Sequence, residues 1–226
     1  MFSLVSQQKG GFRLDLDTLG LPMDAMSEIQ SVCVYCGSSP GRSDTYVSAG
    51  ETLGRCLAEA GLRLVYGGGT RGIMGAVARG VAASGGQIIG IIPRFLIRKE
   101  AGDDAPDIID ELIVTEDMHS RKHAMFEKSD AFVALPGGIG TAEEIIEILT
   151  WGQLGRHRKP IAFANIGGFW DPMLTMMDHM KAEGFIHSAH LVRPLVIDRI
   201  DDVVPMILEA ARASANGGDP AVIERM

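Results

Sequence analysis

From residue 31 onward, short runs of β-branched and other apolar residues alternate with longer segments of helical periodicity. This alternation is typical of a mostly parallel sheet, because parallel neighbours need a crossover connection that is usually a helix. We therefore predict one doubly wound α/β domain over residues 31–215, with helices on both faces of the sheet. Residues 1–30 are interpreted as an N-terminal extension and residues 216–226 as a C-terminal tail.

The element boundaries follow from the apolar runs and from the residues that start and stop helices. Ser43 is a candidate N-cap of the first helix, and Gly61 is its candidate stop. The segment 94–106 is charged and irregular, so we expect a loop there. The predicted strands are residues 31–38, 62–66, 87–92, 111–115, 131–135, 160–165 and 195–197. The predicted helices are residues 43–60, 72–84, 118–129, 141–154, 170–183 and 200–215.

Glycine-rich loops follow three of the predicted strands, after Cys36, Tyr66 and Leu135. In open parallel sheets, ligands bind outside the carboxyl ends of the strands. Loops at three such ends can converge on one ligand, so their combination is more informative than any one of them. The sequence therefore predicts a ligand site at this edge of the sheet.

Composition narrows the class of ligand. The net charge is −8, from 29 acidic and 21 basic residues, which argues against a nucleic-acid partner. A small phosphorylated ligand remains compatible, because a few arginines and backbone N–H groups can hold one phosphate. No apolar stretch approaches the roughly 20 residues of a membrane helix, and residues 1–30 lack the pattern of a secretory signal. We expect no membrane partner.

The chain has three cysteines, Cys33, Cys36 and Cys56. This small, odd number indicates no disulfide framework and a reducing compartment, so we expect a cytoplasmic protein. Cys33 and Cys36 form a CxxC motif inside a predicted strand, where an odd spacing directs the two side chains to opposite faces. We therefore interpret both as structural.

The strongest motif is PGGIGTAEE at residues 136–144, between a predicted strand and a predicted helix. Glycines allow the backbone to approach an anion, and a helix N-terminus offers free N–H groups with a partial positive charge. Thr141 can cap the helix or bind a phosphate oxygen. The spacing matches neither the Walker pattern nor the GxGxxG dinucleotide fingerprint. For this loop alone, a tight turn with an ordinary cap is the alternative.

The helix after this motif carries the candidate carboxylate. At about 100° per residue, its apolar face comprises these residues: Ala142, Ile145, Ile146, Ile148 and Leu149. Glu143 and Glu147 fall opposite that face, whereas Glu144 falls at its edge and can face a ligand while partly shielded. The alternative is a solvated acid that the helix dipole favours. Trp151 lies off the apolar face, which suggests a second buried surface and a two-fold dimer.

A second group of polar residues, MHSRKH at residues 118–123, opens another predicted helix. Arg121 could hold a phosphate or stabilise negative charge, and the alternative is a surface ion pair. His119 and His123 have a spacing that can bind zinc on a helix. No HExxH motif and no third ligand accompany them, so we expect no metal site. Residues 66–75 and 36–39 add weaker, anion-compatible glycine and serine loops.

Together these motifs resemble the LOG ("Lonely guy") family, whose members are cytokinin riboside 5′-monophosphate phosphoribohydrolases long labelled as lysine decarboxylases. Residues 136–144 match the family signature PGGxGTxxE. The resemblance spans about residues 31–193, and the extension 1–30 lies outside it. It includes, in the family's order, residues 36–39, 66–75, 118–122 and 150–155.

The resemblance implies a Rossmann-like fold, a homodimer or an assembly of dimers, and no cofactor. It implies cleavage of purine nucleoside 5′-monophosphates to free base and ribose 5-phosphate. Arg121 and Glu144 match the family's catalytic pair. Matches to its phosphate-binding loop are Gly137, Gly138, Gly140 and Thr141. Matches to positions that line the pocket or lie near base and sugar are Ser38, Gly68, Met118, Lys122 and Glu143.

Two other readings stay open, and a third, a purely structural assembly protein, would leave the three glycine-rich loops at strand ends unexplained. A nucleotide or cofactor carrier on the same fold would bind a phosphorylated ligand without cleaving it. A lysine decarboxylase would need a lysine that forms a Schiff base with pyridoxal phosphate, and no lysine of this chain lies in an obvious cofactor motif.

Overall fold

The structure is a computed structural model that describes residues 29–98, 108–186 and 193–215. Its strands are β1 (Ser31–Tyr35), β2 (Arg63–Tyr66), β3 (Ile88–Pro93), β4 (Glu111–Thr115), β5 (Ala131–Ala134), β6 (Ile161–Ala164) and β7 (Leu195–Ile197). Its helices are α1 (Asp44–Glu59), α2 (Gly72–Ala83), α3 (Met118–Glu127), α4 (Ile139–Gln153), α5 (Asp171–Ala182) and α6 (Val203–Ala215). Single 3-10 turns lie at Arg94–Leu96, Ile166–Gly168 and Ile200–Asp202.

The seven strands form one sheet in the order β4-β3-β2-β1-β5-β6-β7, and every neighbouring pair is parallel. The prediction of a doubly wound α/β sheet is confirmed. The chain reverses its direction of travel across the sheet between β1 and β5, where Val34 lies opposite Val133. This is the topological switch point, and the crevice beyond its carboxyl ends is the expected place for a ligand.

Each face of the sheet buries its own core. One core joins the sheet to α1, α2 and α6, and the other joins it to α3, α4 and α5. Cys36 belongs to the first core and Cys33 to the second, so the two thiols lie on opposite faces as predicted. Both strand faces are apolar, which is why the strands are continuous hydrophobic runs rather than alternating ones.

Most predicted boundaries agree with the structure to within two residues. Ser43 is the N-cap of α1, because its hydroxyl accepts a hydrogen bond from the N–H of Thr45 at 3.3 Å. Gly61, with φ of +72°, follows the helix as its stop. The first strand ends at Tyr35 rather than at residue 38, and β3 ends at Pro93, one residue beyond the predicted range.

One expectation about α4 is wrong in detail: Ile146 does not lie on the buried face, since 42% of its surface is exposed. The second buried surface that Trp151 suggests stays a prediction, and the ring is partly buried within this chain. It packs edge-on against Phe126 of the same chain, with ring centroids 4.9 Å apart, and Arg156 lies over it at 5.5 Å. The side chains around α4, rather than its periodicity alone, decide what is covered.

The proposed N-terminal extension lies outside the described residues, except for its last two, and so does the C-terminal tail beyond residue 215. The predicted loop 94–106 begins with a 3-10 turn at Arg94–Leu96, and residues 99–107 also lie outside. Within the described ranges, no helix has both the length and the apolar composition to cross a membrane.

Candidate active site

Gly37 joins the three glycine-rich loops at the carboxyl edge of the sheet. Its N–H donates to the carbonyl of Pro136 in the loop after β5, at 3.1 Å. Its own carbonyl accepts from the N–H groups of Ile73 and Met74 in the first turn of α2, at 3.1 and 3.2 Å. The loops after β1, β2 and β5 therefore converge at the switch point, as the sequence predicts.

Two glycines are required here by close approach. Gly72 has φ of +58°, and a side chain there would collide with the backbone of Ser38. A side chain at Gly67 would collide with the guanidinium of Arg121. The first glycine lets α2 begin against the loop after β1, and the second leaves room for the arginine.

The beginning of α3 places Arg121 at this edge of the sheet. Asp117 caps the helix, because its Oδ1 accepts from the N–H of Ser120 at 2.7 Å and from its hydroxyl at 2.8 Å. Arg121 follows directly and is 3% exposed. Its Nη2 donates to the carbonyl of Gly67 at 3.3 Å, and its Nη1 lies 3.8 Å from the sulfur of Met118. A surface ion pair, the alternative for this residue, is thus excluded by burial.

The N-terminus of α4 is open where that of α3 is closed. Its N-cap is Gly138, and within the described chain no side chain caps it. Gly138 and Gly140 are exposed, and a Cβ built at either would meet nothing within 4 Å. The free N–H groups of this first turn, with the positive end of the helix dipole, form a place for an anion.

Thr141 is not the cap of α4, which corrects one of its two predicted roles. The helix begins at Ile139, two residues before the predicted start, so Thr141 lies inside the first turn and is 4% exposed. Its hydroxyl lies so close to Gly137 that any side chain at that glycine would collide with it. Thr141 therefore packs against the loop backbone at Gly137.

Glu144 lies partly buried on α4, close to the end of β1. Burial raises the pKa of the Cys33 thiol, the charge of Glu144 raises it further, and the charge of Arg121 lowers it. Burial likewise raises the pKa of Tyr35 and of Cys36, and the Glu144 charge contributes to both shifts. The charges of Glu144 and Arg121 therefore both act on Cys33 of β1.

The side chain of Lys122 on α3 forms ion pairs with two glutamates of α4. Its Nζ lies 2.6 Å from Oε1 of Glu143 and 3.2 Å from Oε2 of Glu147, and its side chain is only 14% exposed. Burial lowers the pKa of Lys122, but the hydrogen bonds that it donates to the two glutamates outweigh burial, and the pKa is raised above its ordinary value. Lys122 thus stays protonated and is held by two carboxylates.

The remaining predicted residues differ in how far they are exposed. Ser38 is exposed at the mouth of the crevice, and Met118 is half-buried beside Arg121. Gly68, with φ of +75°, is buried against Ile92 of β3. His119 and His123 are exposed on α3. Among residues 29–98, 108–186 and 193–215, no group of three or more His, Cys, Asp or Glu side chains could hold a metal ion.

Sequence reasoning missed three residues at this edge. Gly37 and Gly67 lie inside the quoted loops, but only the structure shows that one bonds both neighbouring loops and the other receives Arg121. The periodicity of α4 places Glu147 opposite the apolar face, but in the structure its carboxylate accepts a bond from Lys122. Its spacing of four residues from Glu143 was the available signal, because such positions share one helix face.

Comparison with known proteins gives the family. A family model described as "Possible lysine decarboxylase" matches residues 74–207. The chain is 42% identical over 187 residues to the cytokinin riboside 5′-monophosphate phosphoribohydrolase LOG of Oryza sativa subsp. japonica, across 79% of this chain and 76% of that protein. The chain belongs to the LOG family. It is also 44% identical over 179 residues to the cytokinin riboside 5′-monophosphate phosphoribohydrolase of Rhodococcoides fascians, across 79% and 89% of the two chains.

A solved structure adds evidence on the fold of this LOG-family member. The molybdenum cofactor carrier protein of Chlamydomonas reinhardtii aligns with a TM-score of 0.61 at 22% identity, across 80% of this chain and 99% of that one. At this identity the likeness concerns the fold alone. The Rossmann-like fold that the resemblance implies is confirmed by this likeness and by the strand order.

Proposed function

We propose that this LOG-family protein hydrolyses the N-glycosidic bond of purine nucleoside 5′-monophosphates, AMP and N6-substituted AMP among them, to free base and ribose 5-phosphate. The proposal is supported by the buried Arg121, which bonds the loop after β2, and by the half-buried Glu144 near the open N-terminus of α4. The charges of both residues act on the thiol of Cys33 in β1. The names of the relatives above describe the same reaction. Residues 31–215 would form the catalytic domain, with residues 1–30 and 216–226 outside it.

The 5′-phosphate would bind at the first turn of α4. A dianion is stabilised there by free N–H groups and by the helix dipole, and the phosphate-binding residues would be Gly137, Gly138, Gly140 and Thr141. Ser38 and Gly68 belong to the two neighbouring loops and would complete the pocket, with Met118 near the base. Binding energy gained at the phosphate would hold the reacting bond in place, so a nucleoside without phosphate should react poorly.

The chemistry requires one carboxylate and one cation. The bond from C1′ to the base nitrogen breaks with its electron pair going to the base, which leaves an oxocarbenium-like sugar. Water adds to C1′, one of its protons ends on the base, and the other stays on the new hydroxyl. Glu144 would stabilise the cationic sugar and orient the water, and Arg121 would stabilise the negative charge that develops on the departing base.

Product analysis by chromatography tests the proposal. The protein is incubated with AMP, with N6-isopentenyl-AMP and with adenosine, and the released base is quantified. Free base from both monophosphates is expected, with kcat/KM for adenosine lower by about 100-fold or more, since phosphate binding positions the bond. Comparable values for adenosine and AMP would contradict the phosphate assignment. Tight AMP binding without release of base would instead favour a carrier.

We also propose a homodimer, or an assembly of dimers, in the cytoplasm. Large apolar side chains are exposed on adjacent helices, which supports a contact surface. They are Ile139 and Ile146 on α4 and Met176 and Met180 on α5. The free cysteines support a reducing compartment. Light scattering that gives the mass of a monomer would contradict the dimer, and fractionation of cells tests the location.

A further inference from the structure

The proposed catalytic pair stands on two different helices. Arg121 belongs to α3 and Glu144 to α4, so their separation depends on what holds the two helices together. Lys122 follows Arg121 in sequence, and its Nζ bonds Glu143 at 2.6 Å and Glu147 at 3.2 Å. On each helix, a residue of this bridge is therefore the direct neighbour of a residue of the pair.

Two of the three side chains in this bridge are better shielded than those of an ordinary surface ion pair. Lys122 and Glu147 are 14% and 22% exposed, whereas Glu143 is 52% exposed. At the other end of α3, Lys128 bonds Glu111 at 3.3 Å with both side chains nearly half exposed, at 44% and 49%. Exposed pairs contribute little because water and salt screen them, whereas a shielded cation between two carboxylates holds its partners more strongly.

An aromatic contact provides a second point of attachment further from the site. Phe126, one turn after Lys122, packs edge-on against Trp151, one turn after Glu147, with ring centroids 4.9 Å apart. Two attachments along a pair of helices fix their angle as well as their distance. The ion pairs of Lys122 involve the sequence neighbours of Arg121 and Glu144. The contact between Phe126 and Trp151 lies one turn further along each helix.

We propose that Lys122 and Glu147 are positioning residues that set the separation of Arg121 and Glu144, and that Lys122 acts through this bridge rather than on the substrate. The inference rests on the proposed function. Without the lysine, Glu143 and Glu147 would face each other one turn apart as like charges, which repel. A displacement of about 1 Å in a catalytic geometry can lower the rate by roughly 100-fold.

Steady-state kinetics with AMP test the proposal on Lys122→Met and Glu147→Gln. We expect kcat to fall by about 10- to 100-fold in Lys122→Met, and by less in Glu147→Gln, with KM within about twofold of wild type. Lys122→Arg should restore most of kcat, because a guanidinium can also bond two carboxylates. Lys128→Met is the matched control, since it breaks the exposed bridge of the same helix and should leave kcat unchanged.

The division between kcat and KM decides between positioning and substrate contact. A raised KM with unchanged kcat in Lys122→Met would overturn the proposal, because it would mean that the lysine binds the substrate. The double variant Lys122→Met/Glu147→Gln should lose no more than Lys122→Met, since both changes break one bridge. Losses that multiply in the double variant would also overturn it.

Crystal structures of wild type and Lys122→Met keep this test separate from the proposed function. A changed separation between Cζ of Arg121 and Cδ of Glu144 is expected, whether or not the enzyme assay succeeds. An unchanged separation overturns the positioning role. If wild-type protein releases no base, the proposed function fails, and the two structures still decide whether the bridge sets the geometry.

Discussion

Helices α3 and α4 begin at the same edge of the sheet, but their first turns differ. In α3, Asp117 occupies the open end, because its carboxylate accepts the N–H and the hydroxyl of Ser120. In α4, Gly138 stands at the cap position without a side-chain bond among the described residues, and the space around Gly138 and Gly140 is open. A side chain thus satisfies the first turn of α3, whereas the first turn of α4 is open to the phosphate that we propose binds there.

The difference continues in the side chains that the two helices present. Arg121 of α3 is buried and bonded to the carbonyl of Gly67, so it belongs to the framework as well as to the site. Glu144 of α4 is only partly buried. A change at Arg121 should therefore affect both folding and activity, whereas a change at Glu144 should affect activity alone.

The largest expected effect is at Glu144. Glu144→Gln keeps the size of the side chain but removes the charge that we propose stabilises a cationic sugar and orients water. We expect kcat to fall by about 1,000-fold, within the range typical of a lost general acid or base, with little change in melting temperature or AMP affinity. A chromatographic assay measures the fall in kcat, and thermal unfolding measures the melting temperature. Glu127→Gln, at the exposed end of α3, makes the same chemical change and should behave as wild type.

Arg121→Lys should lower kcat by about 100-fold, within the range found when one transition-state donor is removed, and should lower stability as well. An ammonium keeps the charge but loses the planar fork, so the bond to Gly67 cannot be made in the same geometry. The lost bond should cost about 1–3 kcal/mol in the free energy of unfolding, measured by urea titration. An inactive variant of unchanged stability would show that Arg121 is not part of the framework.

Gly138→Ala should weaken substrate binding without affecting the fold. Its Cβ would meet no protein atom within 4 Å, so stability should change little, but the methyl group would occupy the space proposed for the phosphate. We expect KM for AMP to rise by about tenfold, which corresponds to one lost phosphate hydrogen bond.

Gly137→Ala is the comparison for that variant, because its Cβ would collide with Thr141 and with the backbone of Gly37. It should lower the melting temperature strongly. If both alanine variants behave alike, the distinction between a framework glycine and a ligand-facing glycine fails.

The smallest effect on activity is expected at Asp117. Hydrogen bonds from the N–H of Ser120 and then from its hydroxyl hold the pKa of Asp117 below its ordinary value of 3.8. Because the folded pKa is the lower one, the contribution to stability is full above pH 3.8 and is lost as the pH falls through the folded pKa. Asp117→Asn should therefore be less stable than wild type at pH 7, and the gap should narrow in acid. Thermal unfolding at pH 7 and at pH 3 checks this, and a gap independent of pH would contradict it.

The fold could be predicted nearly completely, because its signals are local. Each buried strand is a short apolar run, each helix has its own periodicity, and Ser43 and Gly61 mark helix ends by their own chemistry. The start of α4 was misplaced because Thr141 satisfies the sequence rule for a cap, while the true cap is Gly138. Only the close packing of Thr141 against Gly137 decides between them.

The members of the candidate site could be proposed from the sequence, but their contacts could not. The motif at residues 136–144 singled out Glu144 and the glycines, and α3 supplied Arg121. The partner of Lys122 was not predictable, because the periodicity of α4 assigns Glu147 to solvent and cannot show that α3 packs beside it.

The order of the elements, the glycine-rich loops at three strand ends and the reactive side chains near that edge could all be read from the amino-acid sequence. Which of them come into contact depends on how the chain folds. Strand order places β1 between β2 and β5, which brings Gly37 to Pro136. The same order makes α3 cross the sheet from β4 to β5, which brings Arg121 to Gly67. Periodicity and caps are properties of a few neighbouring residues, whereas these contacts depend on how distant segments pack, and no local pattern encodes that.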